Sequence, residues 1–221
     1  MWIKICGIRD LPTARIAVEA GADALGFNFY TPSPRAVAVD VAREIVAQLP
    51  DRVEAVGLFV NHSLEFVRET SRHCGLRTVQ LHGDESPDYV AQVAAEFPVI
   101  RAFRVGDAGL GEVAGYLARL SELGVTLRAA IVDAKVAGTY GGTGHTAPWD
   151  VLSAGWNREQ WPQLVLAGGL TPVNVEQAIG VVHPWGVDVA GGVESAVACK
   201  DPALVREFVS RAREAGGRID S

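Results

Sequence analysis

The chain has 221 residues, 48% of them hydrophobic and 21% charged, with a formal net charge of -6. This is ordinary globular usage and excludes a disordered chain, and an acidic balance without a Lys/Arg stripe excludes the footprint that nucleic acid requires. The N-terminus lacks the basic and apolar segments of a secretory signal, and no apolar run approaches ~18 residues. A cytoplasmic protein with no membrane partner is therefore expected. Cys6, Cys74 and Cys199 are widely spaced, with no CxxC pair and no zinc-ligand spacing, so neither a disulfide framework nor a structural metal is expected.

Short apolar, β-rich runs recur along the chain at 2–6 (WIKIC), 24–29, 54–60, 78–82, 98–103, 129–133, 164–167 and 186–190. Between them lie stretches with helical spacing: 11–19, 41–49, 63–74, 87–97, 110–123, 148–154, 172–179 and 202–215. Several of these open with an oxygen-bearing cap or a first-turn proline, as at Ser63, Ser86 with Pro87, Thr171 with Pro172, and Asp201 with Pro202. Strands apolar on both faces that alternate with helices predict a buried parallel sheet. Eight such units without a linker predict one (β/α)8 TIM barrel over 1–221. The alternative, an open doubly wound sheet, lacks a GxGxxG after its first strand.

In a (β/α)8 barrel, side chains at the C-terminal ends of strands face the active-site mouth. The polar or reactive residues so placed are Cys6, Asn28, Gln80, His82, Arg104 and Asp133. Two glycine pairs, Gly168 with Gly169 and Gly191 with Gly192, follow the seventh and eighth strands, where backbone N–H groups can cradle a phosphate. Lys4 shares the Cys6 face by period-two alternation, and a buried ammonium needs a counter-charge, for which Asp188 on the neighbouring eighth strand is the candidate. The glycine-rich stretch 134–149 is long for a βα connection and suits a loop that closes over a ligand.

KICGI at 4–8, SPR at 33–35, QLHGDE at 80–85, VDA at 132–134 with YGGTG at 140–144, LAGGLTP at 166–172 and GVE at 192–194 stand in this order, almost one to a strand end. Together they resemble the phosphoribosylanthranilate isomerases of tryptophan biosynthesis, over residues 2 to about 208. The resemblance implies an Amadori rearrangement of a small phosphorylated aminoaldose to an aminoketose, with no cofactor and no metal, in a monomer or homodimer. By the same resemblance Cys6 is the general base, Asp133 the general acid, and Arg35 the group that recognises the anthranilate carboxylate. Gln80 and His82 line the mouth, and Gly142 and Gly144 join the four strand-end glycines at the phosphate. For these roles the Asp133 carboxyl is expected to be raised by desolvation and the Cys6 thiol lowered by nearby positive charge or N–H donors.

The sequence departs from the family pattern at Ala190 and Gly191, where two serines are usual, at Val197 and Ala198, where proline and glycine are usual, and at Ala147 and Pro148. The first change rests the phosphate on backbone N–H groups alone. Two other readings stand beside this one: a different phosphate-binding barrel enzyme, such as an indole-glycerol-phosphate synthase or a ribulose-phosphate epimerase, and a catalytically silent barrel that binds a metabolite.

Overall fold

The computed structural model describes residues 1–105, 109–134 and 149–219. Eight parallel strands close into a barrel in chain order: β1 (Trp2–Cys6), β2 (Ala24–Asn28), β3 (Glu54–Phe59), β4 (Thr78–Leu81), β5 (Val99–Val105), β6 (Ala129–Ala134), β7 (Leu164–Leu166) and β8 (Gly186–Val189). The helices that return the chain between strands are α1 (Leu11–Ala20), α2 (Val39–Val46), α3 (Leu64–Cys74), α4 (Pro87–Ala94), α5 (Gly111–Glu122), α6 (Trp149–Gly155) and α7 (Val175–Val182), and α8 (Pro202–Ile219) follows the last strand.

Local chemistry explains where the helices start. Ser63 and Ser86 accept from the backbone N–H groups of Phe66 and Tyr89, and Asp201 accepts from Ala203 and Leu204, satisfying first-turn donors that have no helical partner. The Thr171 and Pro172 start expected for α7 is not observed, and the helix begins at Val175. Asn174 is the reason: its side chain accepts from Thr171 N and donates to Gly169 O, so 169–174 becomes a pinned loop instead of a first turn.

Alternation sorts β1 into two environments. Ile3 and Ile5 point outward into the large apolar layer between sheet and helices, with Leu25, Phe27 and Leu81. Trp2 joins the bottom of the barrel interior, with Ala24, Val56, Ile100 and Ile131. Cys6 belongs to a small cluster at the other end, with Leu58 and Val60. Between these inner layers sits Lys4, fully buried.

One element has no counterpart in the expected pattern. After β8 the chain makes a single helical turn at Gly191–Val193 and then a hairpin of β9 (Glu194–Ala196) and β10 (Cys199–Lys200) before α8. Strands of three and two residues are too short to show an alternation.

Candidate active site

The C-terminal ends of the strands surround a cavity of about 760 Å³ whose wall includes Cys6, Arg35, His82, Asp133, Gly168, Gly169, Gly191, Gly192 and Glu194. Cys6 ends β1 and is 6% exposed; Asp133, one residue before the end of β6, is 4% exposed. The barrel thus brings to one mouth Cys6, Asp133, Arg35 and the four strand-end glycines, as expected from their places in the sequence. Gly142 and Gly144 lie outside the described residues. Gln80 is fully buried and is not part of the cavity wall, but hydrogen-bonds with His82 beside it.

Cys6 is made possible by a missing side chain. Gly26 is its register partner on β2, and a Cβ there would stand 2.8 Å from Cys6 Sγ and 3.0 Å from Lys4 Cε. Beneath the thiol, Lys4 Nζ donates to Asp188 Oδ1 at 2.8 Å, between residues that are register partners on β1 and β8. Burial works against the lysine charge, yet Asp188 and Cys6 together hold its pKa above the ordinary value, so it stays an ammonium. The expected lowering of the Cys6 thiol is not observed: burial raises its pKa, Asp188 adds to that, and the opposing charges of Lys4 and Lys200 do not overcome it. A closed barrel wall desolvates the thiol more than its two cationic neighbours stabilise the thiolate.

The β2 loop and the hairpin meet above Cys6. The Arg35 stem lies across Gly7, where a Cβ would be 3.0 Å from Arg35 Cδ, and Gly7 has φ of +82°, a left-handed turn that suits glycine. Arg35 Nε and Nη2 donate to the two carboxylate oxygens of Glu194, each at 2.8 Å, and Lys200 Nζ donates to Glu194 Oε1 at 2.8 Å and to Ala190 O at 2.9 Å. Burial alone would raise the Glu194 carboxyl, but hydrogen bonds and charge from Arg35 and Lys200 outweigh it and hold it down at about 2. The side face of the guanidinium, Nε and Nη2, is therefore taken by the protein itself. Neither Glu194 nor Lys200 was expected in the site. They lie on the short hairpin, far from Arg35 in the chain, and no periodicity links them.

The two glycine pairs allow their loops to touch. Gly168 and Gly169 have φ of +80° and +64°, and a Cβ on Gly192 would fall 1.7 Å from Leu170 O, so no other residue fits between the loops after β7 and β8. Ala198 has φ of +61°, a left-handed backbone that favours glycine, although it carries a Cβ. Among the described residues no cluster of His, Cys, Asp and Glu has the arrangement of a metal site, and no helix is long and apolar enough to cross a membrane.

Residues 3–211 match the family profile of N-(5'-phosphoribosyl)anthranilate isomerase. A relative of that name from Geobacter metallireducens is 47% identical over 212 residues, covering 96% of this chain and 98% of the relative. Another from Geobacter sulfurreducens is 48% identical over 212 residues, with the same two coverages of 96% and 98%. The fold is similar to a crystal structure of phosphoribosyl anthranilate isomerase from Thermotoga maritima, with TM-score 0.85 and 35% identity over 97% of this chain and 99% of that one. It is also similar to a phosphoribosyl anthranilate isomerase in complex with reduced 1-(o-carboxyphenylamino)-1-deoxyribulose 5-phosphate, with TM-score 0.82 and 33% identity, covering 97% and 99% of the two chains.

Proposed function

Because the chain belongs to the N-(5'-phosphoribosyl)anthranilate isomerase family, we propose that it catalyses the family's Amadori rearrangement with Cys6 as general base and Asp133 as general acid. The observation that carries the assignment is their joint burial at one mouth, on strands three places apart around the barrel, with the Lys4 ammonium directly beneath the thiol.

Asp133 protonates the furanose ring oxygen of N-(5'-phosphoribosyl)anthranilate as the C1'–O bond breaks, and the anilino nitrogen lone pair forms the C1'=N bond. The Cys6 thiolate then takes the C2' proton, and the C2'–H electron pair moves to give an enolamine. Protonation at C1' and loss of the enol proton leave the ketone at C2'. Burial sets the conditions for both transfers, because charge that develops in a closed mouth is felt strongly by fixed neighbours. A thiol with a raised pKa is rarely ionised but is a strong base once ionised, and Lys4 and Lys200 are the charges that favour that form.

Recognition divides between the two sides of the mouth. The loops after β7 and β8 hold the 5'-phosphate on glycine N–H groups, in keeping with the phosphate sites of this barrel class. Arg35, held by Glu194, presents its end-on face to the anthranilate carboxylate. The chain acts in the cytoplasm as a single barrel domain, as monomer or homodimer; a solved structure from Thermotoga maritima is of monomers generated from a dimeric phosphoribosylanthranilate isomerase.

The test is to generate phosphoribosylanthranilate in situ and follow the loss of its fluorescence. The expected result is enzyme-dependent conversion to 1-(o-carboxyphenylamino)-1-deoxyribulose 5-phosphate that persists in EDTA; no conversion would overturn the proposal.

A further inference from the structure

His82 carries two observations that acid/base chemistry does not use. Its Nδ1 lies 2.9 Å from Gln80 Nε2, while its Nε2, buried at the cavity wall, has no hydrogen-bond partner among the described residues. With Gln80 Nε2 facing Nδ1, Nδ1 is the acceptor and the neutral ring carries its hydrogen on Nε2; Gln80 Oε1 is also buried without a partner among the described residues, and the reversed amide would exchange these roles, which is the alternative that the experiment below separates.

The geometry points to His82 as a fixed, uncharged Nε2–H donor to a hydroxyl oxygen of the substrate's sugar chain, with Gln80 as the positioning residue that sets the tautomer. The inference rests on the proposed function and adds a contact and a polarity to it. A buried donor left without an acceptor is a costly arrangement that a bound ligand relieves.

The surroundings suit a rigid donor. Backbone on both sides of the ring is clamped, because Arg101 donates to Leu81 O at 2.9 Å and to Gly83 O at 3.0 Å, and Gly83 N donates to Glu85 Oε2 at 2.9 Å. Glu85 also accepts from Asn61 N at 2.8 Å, and Gly83 admits this packing because a Cβ there would meet Asn61 Oδ1 at 2.2 Å. Burial, then the charges of Lys4, Arg101 and Arg104, push the ring pKa down to about 3, so the imidazole stays neutral where the enzyme works. A neutral donor selects an uncharged oxygen, while the ligand's charged groups go to Arg35 and the glycine loops. Leu58 and Val60 line the same cavity wall and are apolar, so they offer no competing acceptor side chain.

The experiment uses 15N-histidine-labelled full-length protein, with the His82 signals assigned by their loss in His82→Gln. The expected spectrum has a protonated Nε2 and an unprotonated Nδ1, and saturating reduced 1-(o-carboxyphenylamino)-1-deoxyribulose 5-phosphate shifts Nε2. Gln80→Leu is expected to mix the two tautomers, a signature that a merely structural role would not move. In turnover, His82→Leu is expected to lose about 10-fold or more in kcat/KM, and His82→Gln, whose amide nitrogen reaches the Nε2 position, to recover most of the loss. A protonated Nδ1 in the wild type, or an Nε2 signal unmoved by the saturating analogue, would overturn the inference whether or not the leucine variant folds. A wild type whose Nε2 responds to the analogue but which does not turn over phosphoribosylanthranilate would overturn the proposed function and leave the donor assignment standing.

Discussion

Lys4 and Asp188, 184 residues apart, are register partners on adjacent strands, whereas Arg35 and Glu194, 159 residues apart, meet from a loop and a hairpin. Both pairs place a cation and a carboxylate within 2.8 Å, but they are fixed by different means. The first is fixed by the hydrogen-bond ladder of the barrel, which leaves the side chains only one level at which to meet. In the second, Glu194 and Lys200 are register partners on the hairpin, but no ladder joins the hairpin to Arg35, and their charges make that link. On the proposed assignment, the barrel wall thus carries the chemistry on rigid elements, and the mouth carries recognition on segments held by ion pairs.

That contrast breaks most visibly at Lys4. Lys4→Met removes one partner of a buried pair and leaves Asp188 uncompensated, so unfolding by denaturant should show a loss of about 3–5 kcal/mol. A loss no larger than that of an exposed ion pair would mean that the ladder, and not the charge, supports this layer.

At the mouth the corresponding change is Glu194→Gln, which keeps the shape but weakens the grip on Arg35. The expected outcome is a KM about 5- to 10-fold higher with kcat less affected, since the role proposed for Arg35 is to bind the carboxylate and not to move protons. Thermal unfolding against pH sharpens the same point. The folded carboxyl sits at about 2 against an ordinary 4.5, so its contribution is present above pH 4.5 and is lost as pH falls toward 2. The stability gap between wild type and Glu194→Gln should therefore close over that acid range and stay constant above it.

The smallest effect is expected in the hairpin turn. Ala198 holds a left-handed backbone with a Cβ, so Ala198→Gly should raise stability by about 1 kcal/mol, read as a higher denaturation midpoint with an unchanged slope. A destabilised glycine variant would show that the turn is relaxed with alanine.

What was legible in the sequence follows the same division. Period-two alternation put Lys4 and Cys6 on the inner face, and strand adjacency named Asp188, because a ladder converts sequence spacing into spatial level. Glu194 and Lys200 gave no such signal, since hairpin strands of three and two residues have no period to read. The start of α7 was misplaced because Thr171 and Pro172 look like a helix entry, and only the bridging side chain of Asn174 shows that they belong to a loop. The thiol shift was expected in the wrong direction for a related reason. Residue types announce the cations near Cys6, but the depth of burial is set by the closed wall, and burial is the larger effect.

The central claim is that Cys6 and Asp133 divide the proton transfers between them. The direct measurement is turnover of phosphoribosylanthranilate by Cys6→Ser and Asp133→Asn, with binding of the reduced product analogue as the check on an intact site. Each variant should bind the analogue and lose at least ~10² in kcat. Either variant turning over within a few-fold of wild type would contradict the assignment.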